Sequence, residues 1–256
     1  MTFKSVMVSI AARKNAFCKM LRQWGWFNLS LYILNRFLVM ISKEGLRLNR
    51  YYLVAQPVAE ASLLPSGRGK KVEVRLIHKQ NGIAQQFPRP AAVIQARFEQ
   101  GAKCLAAFKE DRFIGFLWLL IGAYQEDEVR ARYIPLPAGR AAWDFDVYVA
   151  PDFRLGLTFP RLWDEANCVL NKKGVRWTCS RISAFNVGSL ESHARLGTVP
   201  LGSAIFFNAA RWQITVASIS PYFHLSTHPG SFPEFCLDTE NLGEIPSASQ
   251  DKPTME

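Results

Sequence analysis

Residues 142–150, AWDFDVYVA, alternate side chains as a strand does, so that Asp144, Asp146 and Tyr148 share one face and Phe145, Val147 and Val149 the other. Two carboxylates on one face raise one another's pKa and equip one of them to take up a proton. The competing reading is a solvated strand face. Directly afterwards comes VAPDFRLGLTF (149–159), where a strand ends at Val149 and a helix begins near Thr158. The unpaired N–H groups and positive macrodipole end of such a helix start suit a pyrophosphate. Gly156 is its one glycine, Thr158 could cap the first turn, and Pro160 is tolerated within it. Leu155, Leu157 and Phe159 crowd the amides, which stay reachable provided no residue needs a positive φ. The competing reading is a turn that binds nothing. Further on, NVGSLESHARLG (186–197) is a short helix with Asn186 as N-cap, Gly197 at its end and His193 within it.

Other chemistry is disfavoured. His78, His224 and His228 have no companion carboxylates at metal spacing, so no metal is expected. SGRGKK (66–71) lacks P-loop spacing, and no Ser-His-Asp pattern appears. Arg176 and Arg181 are expected to pair with acids, and Trp118, Trp143, Trp163, Trp177 and Trp212 to be mostly core.

The elements that must position these residues follow from periodicity. RYYLVAQPV (50–58) is a short strand, and the basic, flexible PSGRGKK (65–71) marks a boundary. KVEVRLIHK (71–79) is a strand and residues 90–100 are helical. Strands near 103–108 and 113–124 form a hairpin about Lys109–Arg112. A loop with Pro135, Pro137 and Gly139 precedes the aspartate strand. A helix over 160–174 carries Leu162, Trp163, Ala166, Val169 and Leu170; strand 175–185 and two strands within 203–218 complete the body. The order β-α-β-β-β-α-β-α-β-β is a mixed α/β layer. Three units are expected: a basic, aromatic-rich helical extension (1–70), the body (71–222) and a disordered acidic tail (223–256).

Residues 1–71 hold 12 Lys or Arg against 2 Glu, whereas the remainder holds 19 basic and 19 acidic residues. The net charge of +10 therefore belongs to the N-terminal segment, which suggests an anionic surface. Within it, Trp24, Phe27, Leu31, Leu34, Leu38 and Ile41 recur at helical spacing. Asn28, Asn35 and Arg36 interrupt the stretch, which is too short to span a bilayer, and no cleavage site follows. Two readings stand: a helix packed on the body or a second subunit, and a helix lying on an anionic membrane through residues 14–50. Nucleic acid is less well suited to that stripe. Five scattered cysteines fit a reducing cytoplasm, so the expected location is cytoplasmic, with a peripheral membrane position as the variant.

Three stretches resemble the GNAT acyltransferase family: the hairpin AFKEDRFIGFLWLL, the strand and turn DVYVAPDFRLGLTF, and NVGSLESHARLG. The last matches N-x-x-[AS]-x-x-x-[YH]-x-x-L-G at Asn186, Ser189, His193, Leu196 and Gly197. The resemblance covers about 60% of the chain. It implies a mixed, mostly antiparallel central sheet with helices on both faces, here plus the N-terminal helical extension. It implies acetyl-CoA or another acyl-CoA as co-substrate and an amine of unknown identity as acceptor. The co-substrate's pyrophosphate would meet residues Arg154, Leu155, Gly156, Leu157, Thr158 and Phe159. The family pattern R-G-x-G-x-G/A keeps only Gly156 here, shifted by one. The pantetheine arm would lie between the strand ending at Val149 and strand 175–185, which splay apart, with Asn186 and Ser189 also at the ligand. An amide near Val147 or Tyr148 would polarise the thioester carbonyl. Asp144 or Asp146 would be the base. His193 stands where relatives often carry a tyrosine that protonates the departing thiolate; a protonated His193 could do so, a neutral one could hydrogen-bond the sulfur, and a structural role remains open. The alternative function is a non-catalytic GNAT-like scaffold at a membrane or partner protein.

Overall fold

A computed structural model describes residues 3–43, 45–79 and 82–243, with side chains from residue 20 onward. In chain order the elements are α1 (Phe3–Ser42), β1 (Leu46–Pro57), β2 (Glu73–Ile77), α2 (Ala91–Glu99), β3 (Lys103–Lys109), β4 (Arg112–Leu120), β5 (Tyr124–Gln125), β6 (Arg132–Leu136), β7 (Ala141–Val149), α3 (Thr158–Asn171), β8 (Trp177–Ser183), α4 (Val187–Ala194), β9 (Val199–Ala209), β10 (Trp212–Ala217), β11 (Phe223–Ser226) and β12 (Glu234–Asp238). Gly25, at φ 69°, breaks α1 into two helical pieces.

Nine strands form one sheet in the order β11-β10-β9-β1-β8-β7-β4-β3-β2, and β12-β6-β5 form a small second one. One face of the large sheet carries α2, with Trp118, Trp143, Phe145 and Phe206 buried beneath it and the small sheet. The other face carries α3, whose Leu162, Trp163, Ala166 and Leu170 pack on Leu105, Leu117 and Ala142. The hairpin, the aspartate strand and the helices lie where periodicity puts them.

Two expected boundaries are corrected. Residues 46–57 are not part of an appendage: β1 pairs with β8 on one side and β9 on the other, in the middle of the sheet. A strand's partners are chosen by long-range pairing, which PSGRGKK does not reveal. Nor is the tail disordered from 223. β11 pairs with β10, and β12 runs parallel to β6 with Phe235 and Leu237 buried in the core. Residues 244–256 lie outside the described residues.

The feature that shapes β7 is a bulge. Phe116 pairs with Tyr148 but Trp118 with Phe145, so one extra residue stands opposite Leu117. Asp146 takes it up at φ 48°, a conformation that Asp tolerates better than most residues. The alternation slips by one, so Asp144 and Asp146 do not share a face. Asp146 turns to the α2 face, where Arg97 and Arg89 both bind its carboxylate; Arg97, itself buried, also holds Asp127 at 2.7 Å. Removing Arg97 would leave two carboxylates short of their counter-charge. Arg97→Ala is expected to lower stability by about 3–5 kcal/mol in urea unfolding, whereas Arg75→Ala, which breaks exposed pairs with Glu73 and Asp111, is expected to change it far less.

Candidate active site

β7 and β8 run parallel but pair only at Ala141↔Trp177, Ala142↔Thr178 and Trp143↔Cys179. Beyond that point β7 keeps to β4 and β8 keeps to β1 along all seven of its residues. The sheet is thus two halves joined at one end and parted at the other, as the family resemblance implied for strands 143–149 and 175–185. The Ala150 N–H donates to Ile114 O at 2.8 Å, which makes Phe116 and Tyr148 the next hydrogen-bonded pair of this antiparallel ladder. The Tyr148 amide is therefore committed to β4 and is withdrawn as an oxyanion donor. Val149 turns its carbonyl away from β4, to accept from Arg154 Nε at 3.1 Å. By alternation, the Val147 and Val149 amides face the gap.

The turn that follows resolves the question of the missing glycines. No residue from 150 to 160 has a positive φ. Phe153, Arg154 and Gly156 donate their N–H groups to local carbonyls, while those of Leu155, Leu157, Thr158 and Phe159 have no partner among the described residues. Leu155 points wholly into solvent. The Phe159 ring turns inward, 5.8 Å from the His193 ring. The side chains thus leave the amides at the α3 N-terminus uncovered, where the dipole of a 14-residue helix adds its positive end. Lys109 and Arg112 of the hairpin lie over the Phe153 ring at 5.7 and 5.4 Å. With the exposed Arg154 they set three cations about the turn against one carboxylate, Asp152, which lies 3.7 Å from Arg112; in the sequence Lys109 and Arg112 read only as a polar turn.

Asp144 occupies the α3 face where the ladder ends. It is 1% exposed, and burial pushes its carboxyl up to about 7. The nearby Thr178 and Ser180 hydroxyls oppose that rise, yet Asp144 Oδ2, Thr178 Oγ1 and Ser180 Oγ all lack a partner at hydrogen-bonding geometry. Unpartnered buried polar atoms are costly in a core. Thr178 and Ser180 alternate with Trp177 and Cys179 in the sequence, and that polar row on a buried strand was the available signal.

His193 is buried between rings, 5.7 Å from Trp163 as well as beside Phe159. Its Nδ1 lies 2.9 Å from Gln56 Oε1. As placed, Nδ1–H donates to Gln56 and only Nε2 is left. Burial lowers its pKa to about 4, so it is neutral at neutral pH, and the protonated-acid reading is withdrawn. Asn186 caps α4 by accepting from the Ser189 N–H at 3.1 Å. This is the cap expected of it; Ser189 is half-buried on the same turn.

Arg181 pairs with Glu126 and Glu128, as expected of it. Trp212, by contrast, is exposed. Among the described residues no three His, Cys, Asp or Glu side chains gather as metal ligands, and no helix is long and apolar enough to cross a membrane.

No family model and no curated protein sequence matches the chain. Several solved structures do. A conserved protein of unknown function from Staphylococcus epidermidis is 13% identical with TM-score 0.47, over 68% of this chain and 66% of that one. A tandem GNAT protein of clavulanic acid biosynthesis is 12% identical with TM-score 0.45, over 67% and 57%. The GCN5-related glucosamine N-acetyltransferase region of a fungal multi-domain β-N-acetylglucosaminidase is 20% identical with TM-score 0.43, over 66% and 22%. The chain thus spans less than two thirds of the length of the latter two. The connectivity from β2 through α4 to β10, on a mostly antiparallel sheet parted between β7 and β8, is the arrangement that the sequence resemblance implies.

An unfolded Asp carboxyl titrates near 3.9, so between about pH 4 and 7 the folded chain keeps a proton on Asp144 that the unfolded chain releases. Stability therefore falls as pH rises through that window, and Asp144→Asn removes this contribution. Its stability relative to the unaltered chain is expected to grow by up to about 4 kcal/mol from pH 4 to 7 and to level off above, as measured by urea unfolding at each pH.

Proposed function

We propose that the chain transfers an acyl group from an acyl-CoA thioester to an amine. The observation that carries this reading is the gap between β7 and β8, opening beside the unpartnered amides at the start of α3. Those amides, with Lys109, Arg112 and Arg154, suit a pyrophosphate, and the gap suits an extended arm running along β7. The Val147 amide faces the gap as an oxyanion donor to the thioester carbonyl, with Val149 further along as a partner for the arm. Asp144 is the base: its carboxyl, with pKa about 7, is poised to take a proton from the attacking nitrogen. The nitrogen forms the amide bond, the C–S bond breaks, and the thiolate leaves. Neutral His193 is a positioning residue, held by Gln56 between α3 and α4.

Asp146 has no such role here, because two guanidinium groups hold its carboxylate. The acceptor and the acyl chain length are set by residues lining the gap, and acetyl is the default donor. The alternative, a non-catalytic scaffold, keeps the fold and drops the ligand.

Titration calorimetry with acetyl-CoA and longer acyl-CoAs separates the two. Binding by any of them supports the enzyme; binding by none leaves the scaffold. Asp144→Asn is expected to keep acyl-CoA affinity within about twofold while kcat falls by roughly a hundredfold or more. Activity of the unaltered chain should rise with pH through about 7 as Asp144 ionises.

A further inference from the structure

The second half of α1 is apolar on both sides. Its buried side carries Leu29, 1% exposed, and two asparagines: Asn28 donates to Tyr52 Oη at 3.0 Å and accepts from Arg50, and Asn35 Oδ1 accepts from the Leu48 N–H at 2.9 Å. The opposite side, about half a turn away, carries Ile33, Phe37, Met40 and Ile41, of which Phe37 is 53% and Met40 71% exposed. A helix resting on a soluble body normally turns polar residues to that outer side.

A second apolar surface lies on the side of the sheet that α1 packs against. Arg50 lies beside Ile205, which lies beside Val216, which lies beside Phe223; Leu48, Phe207, Ile214 and Leu225 form the next row. Side chains directly opposite one another across strands share a face. Val216, Phe223, Ile214 and Leu225 therefore stand on the side of the sheet where Arg50 and Tyr52 meet α1, and all four are exposed, Phe223 by 64%. On the other side of β10, Gln213 and Thr215 are buried. Polar residues face in and apolar residues face out on this strand.

The charge around this surface has one sign. Residues 1–43 and 199–226 contain no Asp or Glu. Arg22, Arg36 and Lys43 are exposed on α1, and Arg211 stands at the β9–β10 turn beside Trp212. A second copy docked symmetrically through this face would set these cations against themselves with no carboxylate to answer them. An anionic bilayer answers both features, taking the apolar side chains below its headgroups and the guanidinium and ammonium groups among them.

We propose that α1 and strands β10–β11 form one composite surface that lies on an anionic lipid bilayer. The sequence pointed only to residues 14–50, through a stripe that the structure rotates; the C-terminal strands are the new part. The proposal stands on this surface alone and is independent of acyl transfer.

Sedimentation of the full chain with vesicles tests it. Binding to equimolar phosphatidylglycerol and phosphatidylcholine is expected to be roughly tenfold or more tighter than to phosphatidylcholine alone, and to weaken with added salt. Phe37→Glu and Phe223→Glu should each reduce it by roughly tenfold, while Leu76→Glu, on the opposite edge strand β2, leaves it unchanged. A readout on the chain with its surface charge unaltered is quenching of tryptophan fluorescence by brominated lipid, part of which Trp212→Phe should remove. The proposal is overturned by failure to bind phosphatidylglycerol vesicles, by quenching that Trp212→Phe leaves intact, or by a lipid-independent dimer that Phe223→Glu dissolves.

Discussion

The left-handed conformation of Asp146, held by Arg97 and Arg89 within a strand, is the constraint on which the rest of the site depends. An αL residue inside a ladder costs on the order of 1–2 kcal/mol, and a largely buried carboxylate costs more unless it is paired. The two arginines offset both. The bulge they fix makes Phe145 and Asp146 face the same way and shifts every later residue of β7 by one place. It lies three residues past Trp143, where pairing with β8 stops. Beyond it, β7 follows β4 and β8 follows β1, so the opening is held from both sides by pairing to other strands.

Polar groups on the two faces of the parted sheet are treated differently. On the α2 face, Arg97, Arg89 and Arg181 meet Asp127, Asp146, Glu126 and Glu128, and charge is answered by charge. On the α3 face, Asp144, Thr178 and Ser180 are buried without partners at bonding geometry. Folding alone would favour apolar residues at those positions. The proposed acyl transfer gives them a use, because a carboxyl held near pH 7 by burial gains and loses a proton at little cost.

The turn into α3 shows how backbone amides can stay uncovered with few glycines. Glycine is needed where φ must be positive or where a side chain would block the amides. Here the backbone stays in ordinary regions, Leu155 swings out to solvent and Phe159 swings into the α3–α4 interface. The same interface buries His193, which explains why a histidine placed by a sequence motif is neutral and held by Gln56 rather than free to donate a proton.

Much of the fold was legible in the chain. The hairpin, the aspartate strand, the two helices around strand 175–185 and the Asn186 cap are written in local signals: period-2 and period-3.6 alternation, turn residues and cap residues act within a few positions of themselves. The parting of β7 and β8 was legible through the family resemblance. What the sequence could not show is anything decided by a partner far along the chain. One extra residue in β7 reversed the face of Asp146, and its anchors, Arg89 and Arg97, lie about fifty residues away. β1 enters the sheet through pairing with strands more than a hundred residues downstream, and β12 through pairing with β6. The apolar stripe of α1 was visible, but which side of it faces outward was set by Asn28 and Asn35 bonding to β1. Local alternation determines which residues form strands and helices; register and long-range pairing determine which faces meet, and the site is made of faces.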